Sequence, residues 1–222
     1  MAMVAGGIGL MVNAQEVTPA SAPQRAPATS VLLARMGQNL QAPYTGTYHV
    51  VEFFQVHGRW IYPDGGYVDC ATNTYREYFA GGGWTFVSGK KATLVGEGYF
   101  VQDAGSAARS ARYLWANPIL DVRFARKLAW QTSYFTYIPL NHSAYFQQLL
   151  ERSKLEYAIA RSVKAGGGYG AYESSSNPWQ NQPFGTVTFS TRAGSMGFWI
   201  QHMPQGAQVQ ARYSFTHIAA ER

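Results

Sequence analysis

The sequence predicts an α+β fold in which an antiparallel sheet curls around helices. Three features favour this class: closely spaced strand-like segments in the first half, a helix-like middle, and alternating strands at the C-terminus. Apolar residues make up 46% of the 222 residues and aromatic residues 15%, whereas charged residues make up 14%. This composition is typical of a folded chain with a large core and excludes a disordered one.

The first 29 residues differ in composition from the rest of the chain. Residues 1–14 are small and apolar, and Val12 and Ala14 stand where the −3 and −1 positions of a signal-peptidase site would lie. Residues 15–29 are rich in Pro, Ala, Ser and Thr, which is typical of a flexible linker. We therefore predict a signal peptide, a linker, and one α+β domain over residues 30–222 of an exported protein that is periplasmic or secreted.

An amphipathic helix over residues 30–41 is the first predicted element of the domain. Ser30 can cap it, and its apolar residues share one face at helical spacing. A strand follows over residues 44–56, and glycines then separate several short apolar segments, which indicates a meander of antiparallel strands. These later strands are expected around residues 84–87, 92–95 and 99–102.

The middle of the chain predicts a helical insert over residues 116–165. In residues 116–130, Asn117 can act as an N-cap and apolar residues recur every four positions. Residues 141–168 form the longest helix candidate, which ends in a glycine run. A loop rich in Gly, Ser, Asn and Pro follows over residues 166–185, and loops of this length are usually functional or mobile.

The C-terminal segments alternate between apolar and polar residues. Val187 and Phe189 alternate with hydroxyl residues in segment 185–192, and a similar pattern extends over residues 207–217. Alternation of period two indicates strands with one buried face and one wet face. With a short strand between them, these segments predict three consecutive antiparallel strands.

Three stretches of the sequence carry a family resemblance. The first is LLARMGQNLQAPYTGTYHVVEF, the second GGGWTFVSGKKATLV, and the third GTVTFSTRAGSMGFWIQHMPQGAQVQARYSFTHI. They resemble the opening helix and strand, the aromatic strand and turn, and the closing strands of LolA/LolB/RseB-type periplasmic lipoprotein-binding proteins. The resemblance implies a half-open barrel with helices packed in or against its concave face, which binds acyl chains or apolar peptide segments.

Cys70 is the only cysteine, and it raises a separate hypothesis. If a helix begins at Asp69, its dipole favours the thiolate that a nucleophile requires, and the pair resembles the start of the catalytic helix in NlpC-type cell-wall hydrolases. His142 is the candidate base of this alternative. Residues 72–75 are poor helix formers, which favours two short strands and an inert cysteine.

The sequence lacks patterns typical of metal, cofactor or nucleic-acid binding. Its five histidines have no metal-ligand spacing, and phosphate-binding glycine motifs and nucleic-acid modules are absent. We therefore predict no cofactor and no nucleic-acid partner. A mild basic cluster suits contact with an anionic membrane surface, with a solvated helix face as the alternative. Its residues are Arg109, Arg112, Arg123, Arg126 and Lys127.

The abundant aromatic residues are the candidates for ligand binding, because they can line an apolar pocket in a concave sheet. The leading hypothesis is an exported, non-enzymatic protein that holds a lipid, a lipoprotein acyl chain or an apolar protein segment. The alternatives are a cell-wall cysteine hydrolase and a structural subunit of an envelope complex. The residues predicted to bind the ligand are Trp60, Trp84, Phe86, Phe100, Phe198 and the loop residue Trp179.

Overall fold

The computed structural model describes residues 28–40, 46–70, 75–105, 110–203 and 206–220, which form twelve β-strands. The strands are β1 (Thr29–Asn39), β2 (Gly46–His57), β3 (Trp60–Cys70), β4 (Tyr75–Ser88), β5 (Ala92–Asp103), β6 (Arg112–Ala125), β7 (Leu128–Pro139), β8 (Gln147–Ala160), β9 (Val163–Ser174), β10 (Asn177–Ser190), β11 (Gly194–Met203) and β12 (Gly206–Ala220). Consecutive strands pair antiparallel, and β1 also pairs with β12, which closes the sheet into a barrel. No helix in these ranges is long and apolar enough to cross a membrane.

The predicted α+β class is wrong, because the segments expected to be helical are strands of a closed barrel. The first predicted helix corresponds to β1, and the predicted insert over residues 116–165 spans β6, β7, β8 and the start of β9. The physical reason is that a spacing of four residues suits one face of a helix and equally one face of a strand. Leu120 and Phe124 have this spacing, and both occupy outward positions on β6.

Inward and outward side chains alternate along the strands. In β11, Trp199, Gln201 and Met203 are buried in the barrel, whereas Phe198 and Ile200 are exposed on its outer surface. The three closing strands predicted from alternation are confirmed as β10, β11 and β12. Because the sheet is closed, alternation divides every strand between an interior wall and an outer surface.

The two ends of the barrel differ in their connections, and we term them the turn end and the loop end. The first strand begins and the last strand finishes at the turn end, where each hairpin closes over two or three residues. At one of these hairpins Gly58 has φ 64°, a conformation that glycine adopts without strain. The turn-end connections are 58–59, 89–91, 126–127, 161–162 and 191–193, and the longest loop-end connections are 40–45, 104–111 and 140–146.

An aromatic core fills part of the interior. Trp115 on β6 stands at its centre, with ring centroids 5.6 Å from Phe79, 5.0 Å from Tyr99, 4.8 Å from Phe135 and 5.5 Å from Tyr137. These side chains come from β4, β5, β6 and β7 and are all buried. Aromatic pairs at such distances stabilise a core beyond the area that they bury.

Candidate functional site in the barrel interior

The interior wall has an aromatic sector and a polar sector on different strands. The aromatic sector lies on β4 to β7, and the polar sector lies on β10 to β12. The aromatic sector consists of Phe79, Tyr99, Tyr113, Trp115, Phe135 and Tyr137, and the polar sector of Gln182, Thr186, Gln201, Gln208, Gln210 and Arg212, all of them buried. A polar strip along one wall is the part of the interior that suits a polar solute.

Side-chain contacts hold the polar sector in place. Gln201 Nε2 donates a hydrogen bond of 3.1 Å to Gln182 Oε1, and Arg212 Nε donates one of 2.8 Å to Gln210 Oε1. The Arg212 guanidinium carbon also lies 3.9 Å from the centroid of the Trp199 ring, within cation–π distance. The sector is therefore an ordered surface.

On β10 and β11, three buried polar atoms of this sector have no hydrogen-bond partner within the described parts of the chain. They are Gln182 Nε2, Gln201 Oε1 and Thr186 Oγ1, and they lie on the neighbouring strands β10 and β11. A buried polar atom without a partner is costly, so such atoms are usually satisfied by water or by a bound polar group. Their grouping makes this sector the part of the interior where water or a bound polar group would be held.

Lys154 brings a further positive charge to this region from β8. Its Nζ lies 5.5 Å from the centroid of the Trp199 ring on β11 and 3.1 Å from Glu156 Oε1. Two strands separate β8 from β11, but the β9 residues level with Lys154 and Glu156 are Gly168 and Gly166. Because glycine has no side chain, these positions leave room for Lys154 to cross the interior.

The inward charges are largely separated by sign around the wall. Carboxylates predominate on β2 to β6, where Tyr99 Oη donates a hydrogen bond of 2.7 Å to Asp64 Oδ2, and Asn117 Nδ2 donates one of 2.8 Å to Glu97 Oε2. Glu156, beside Lys154 on β8, and Arg123, at an inward position of β6, are exceptions. Charges of opposite sign along one interior wall can orient a dipolar solute. The carboxylates are Glu52, Asp64, Glu77, Glu97, Asp103 and Asp121, and the cations of β1, β8 and β12 are Arg35, Lys154 and Arg212.

The interior is more tightly filled towards the loop end than towards the turn end. Near the loop end, Glu77, Asp103 and Tyr113 are buried on adjacent strands. Near the turn end, Arg123 and Lys164 are exposed at inward positions of β6 and β9. The aromatic sector and its buried neighbours therefore fill the interior most tightly, and we term this region the constriction.

Replacement of Gly168 by alanine should destabilise the barrel by about 1–3 kcal/mol, because a methyl group would overpack the interior. The added Cβ would meet the Ser153 carbonyl oxygen and would lie 2.9 Å from both Lys154 Cα and Phe184 Cζ. Urea unfolding in detergent micelles measures the effect. Gly185→Ala on β10 is the matched control, since nothing lies within 4 Å of its added Cβ. Equal loss of stability in both variants would contradict this packing.

The aromatic residues predicted to bind a ligand lie on the outer surface. Trp60 and Trp84 pack edge to face, with ring centroids 4.5 Å apart. Trp179, predicted in a loop, belongs to β10, and its Nε1 donates a hydrogen bond of 3.1 Å to Tyr169 Oη on β9. The structure thus spreads the predicted residues around the barrel instead of gathering them at a concave face. The remaining ones, Phe86, Phe100 and Phe198, are also exposed.

The structure does not provide the helix on which the cysteine hydrolase alternative depends. Cys70 is the last residue of β3, where its backbone pairs with Tyr48 and Tyr75. Residues 71–74 lie outside the described residues. His142 is exposed in the connection between β7 and β8, so three strands separate that connection from β3.

The predicted basic helix face does not exist either. Arg112 and Arg123 lie near opposite ends of β6, and Arg126 and Lys127 form the turn that follows. Arg109 lies outside the described residues. A strand of this length separates its two ends too far for them to act as one surface patch.

The outer surface is apolar between two bands of aromatic residues. Among the strand residues whose side chains the structure describes, the outward charged ones lie near the loop end, where Arg76 Nε contacts Asp69 Oδ1 at 3.3 Å. Between the bands the outward positions hold residues such as Val51, Pro118 and Val187. The band nearer the turn end consists of Trp60, Trp84, Phe86, Phe124, Trp130, Tyr157 and Phe189, and that nearer the loop end of Tyr67, Tyr78, Tyr134, Tyr169 and Trp179.

A closed antiparallel barrel with an apolar outer band, aromatic girdles and a polar interior defines the fold of transmembrane β-barrels. Solved structures of similar fold include two porins. The KdgM porin has a TM-score of 0.55 at 7% identity, and the match covers 84% of this chain and 98% of the porin. The NanC porin has a TM-score of 0.54 at 8% identity, and the match covers 86% of this chain and 100% of the porin. A KdgM porin in complex with disordered oligogalacturonate has a TM-score of 0.57 at 8% identity, covering 84% and 98%. No protein-family model and no curated protein sequence matches this chain.

These findings correct the predicted family, function and partners. The predicted resemblance to the half-open barrel of LolA/LolB/RseB-type proteins is wrong, because the chain has a closed barrel like that of outer-membrane porins. The predicted function is therefore also wrong: the chain is not a soluble periplasmic protein that holds a lipid, a lipoprotein acyl chain or an apolar protein segment. The two alternatives, a cysteine hydrolase and an envelope subunit, are no better supported. The predicted export agrees with this fold, whereas a soluble periplasmic location does not.

Proposed function

We propose that the protein is an outer-membrane channel through which small polar solutes cross. The observation that carries this proposal is the division of a closed barrel into an apolar outer band and a polar, charged interior. In a lipid bilayer every backbone polar group needs an internal partner, and a closed sheet meets that demand without free edges. A water-soluble barrel has no need of an apolar outer band, which would favour aggregation.

Strand length and connection length support the same proposal. The shortest strand, β11, has 10 residues and the longest, β12, has 15, and about 9–11 tilted residues are enough to cross the hydrocarbon core. Barrels of the outer membrane have short periplasmic turns and longer external loops. The turn end therefore faces the periplasm in this proposal.

The chemistry of the polar sector indicates the kind of solute. Amide, hydroxyl and guanidinium groups line it, and these groups suit hydroxyl-rich or charged molecules. The KdgM porin in complex with oligogalacturonate holds a polar solute of this kind. A barrel with this sector would favour hydrated polar molecules over apolar ones.

Reconstitution into planar lipid bilayers tests the proposal. Folded protein should produce discrete conductance steps, and an uncharged sugar added to one side should block them in a concentration-dependent way. Unfolded protein is the control, and it is recognised because its gel mobility does not change on heating. Membrane fractionation of cells that express the chain should find it in the outer membrane. A folded barrel that never conducts would contradict the channel, and recovery in the soluble fraction would contradict the membrane location.

A further inference from the structure

Each hairpin at the turn end carries at least one lysine or arginine. The five connections contain no aspartate or glutamate. Their basic residues are all exposed, and they follow one another around the rim of the barrel. We term this set the basic annulus: Arg59, Lys90, Lys91, Arg126, Lys127, Arg161 and Arg192.

One contact of the basic annulus is with an outward-facing ring, and a second is with a backbone carbonyl at the turn end. Lys127 Nζ lies 5.9 Å from the ring centroid of Tyr157, a side chain of the aromatic band nearer the turn end. Arg59 Nη1 donates a hydrogen bond of 3.4 Å to the carbonyl oxygen of Phe86 in the same band. Cations beside interfacial aromatic residues lie at the level of lipid head groups, with their stems along the apolar surface.

The loop end has a different charge pattern. There, basic and acidic residues are mixed, as in the contact between Arg76 and Asp69, and Glu173 occupies an outward position near the end of β9. The exposed rim is thus strongly positive at one end and mixed at the other within the described residues. Sequence composition alone does not reveal this asymmetry, because the basic residues become neighbours only when the barrel closes.

We infer that the basic annulus binds the phosphate groups of anionic phospholipids in the leaflet that surrounds the turn end. This inference rests on the proposed membrane location. Each lysine or arginine close to an anionic leaflet adds to the attraction, and several together make it strong. The contact of Lys127 with the outward-facing ring of Tyr157 favours lipid at the perimeter over a solute in the interior. Because short turns face the periplasm, the leaflet concerned is composed of phospholipid.

Native mass spectrometry of the folded barrel in a neutral detergent tests the inference, with phosphatidylglycerol and phosphatidylcholine offered at equal concentration. The wild type should retain phosphatidylglycerol in preference to phosphatidylcholine. A variant that combines Arg126→Gln, Lys127→Gln, Arg161→Gln and Arg192→Gln should bind phosphatidylglycerol roughly tenfold more weakly or worse, since each cation contributes separately. Glutamine keeps side-chain length, and a heat-dependent shift in gel mobility shows that the variant is folded.

Arg76→Gln with Arg112→Gln is the matched control, because both arginines are exposed at the loop end. This variant should retain phosphatidylglycerol as the wild type does. Equal weakening in the control and annulus variants, or equal retention of both lipids by the wild type, would overturn the inference. In a second assay that also offers lipid A, preferential capture of lipid A that is lost in the annulus variant would overturn the choice of leaflet. Conductance of the annulus variant in phosphatidylcholine bilayers tests the channel separately, since lipid binding can fail while conductance persists.

Discussion

Trp115→Ala should raise the single-channel conductance of the barrel. The Trp115 side chain is 5% exposed and touches four other aromatic rings of the constriction. Removing the indole opens the narrowest part of the proposed path, because no other side chain of the sector contacts as many rings. The same change should lower the free energy of unfolding by about 3–5 kcal/mol, as expected when a large aromatic residue is deleted from a core. Planar-bilayer recordings measure the conductance, and urea unfolding measures the stability.

Leu114→Ala is the control for this prediction. Leu114 precedes Trp115 on β6 but faces outward and is 47% exposed. Its truncation also removes apolar atoms from the strand and leaves the constriction intact, so conductance should match that of the wild type. If Trp115→Ala is folded and conducts like the wild type, the aromatic sector does not form the constriction. If both variants conduct more, the effect comes from general loosening of the barrel.

The strands could be predicted from the sequence wherever apolar and polar residues alternated strictly. Segments 185–192 and 207–217 met this condition and correspond to parts of β10 and β12. The predicted strand over residues 44–56 likewise corresponds to most of β2. In these segments period two is the only period that fits, so the local pattern determines the element.

The predicted helices failed because the apolar outer face of a barrel strand can have the same spacing as one face of a helix. Leu32, Met36 and Leu40 lie four residues apart, and this spacing satisfies both periods. In segment 141–168, Leu155, Tyr157 and Ile159 alternate with Lys154 and Glu156, a strand signal that the long charged side chains obscured. Which period applies depends on the solvent outside the barrel, and no single segment carries that information.

The interior site was missed because its polarity is the reverse of that in a soluble sheet. Gln208, Gln210 and Arg212 were assigned to a wet outer face, yet they line the buried interior. Tyr213, expected in the core, is exposed on the outer surface. Alternation shows that a strand has two faces, but it does not show which face points inward. The useful signal was global: many alternating segments of similar length, with few charges and abundant aromatic residues.

Val51→Arg should destabilise the barrel by about 2–4 kcal/mol, the cost of an arginine on the lipid face near the bilayer midplane. Val51 lies midway along β2, is 46% exposed, and pairs with Ala34 on β1 and Tyr67 on β3. Its side chain therefore points outward at the centre of the proposed apolar band. Unfolding from phospholipid vesicles by urea measures the change in free energy.

His57→Arg on the same strand is the control that turns this measurement into a test of location. His57 is exposed at the turn end of β2, where an arginine reaches head groups and water and should cost about 0–1 kcal/mol. In a water-soluble barrel both positions would meet water, and both substitutions would stay within about 0.5 kcal/mol of the wild type. A large cost at Val51 with little cost at His57 requires an apolar solvent around the middle of the barrel. Equal, small costs would contradict the membrane location, and with it both the channel and the lipid contacts of the basic annulus.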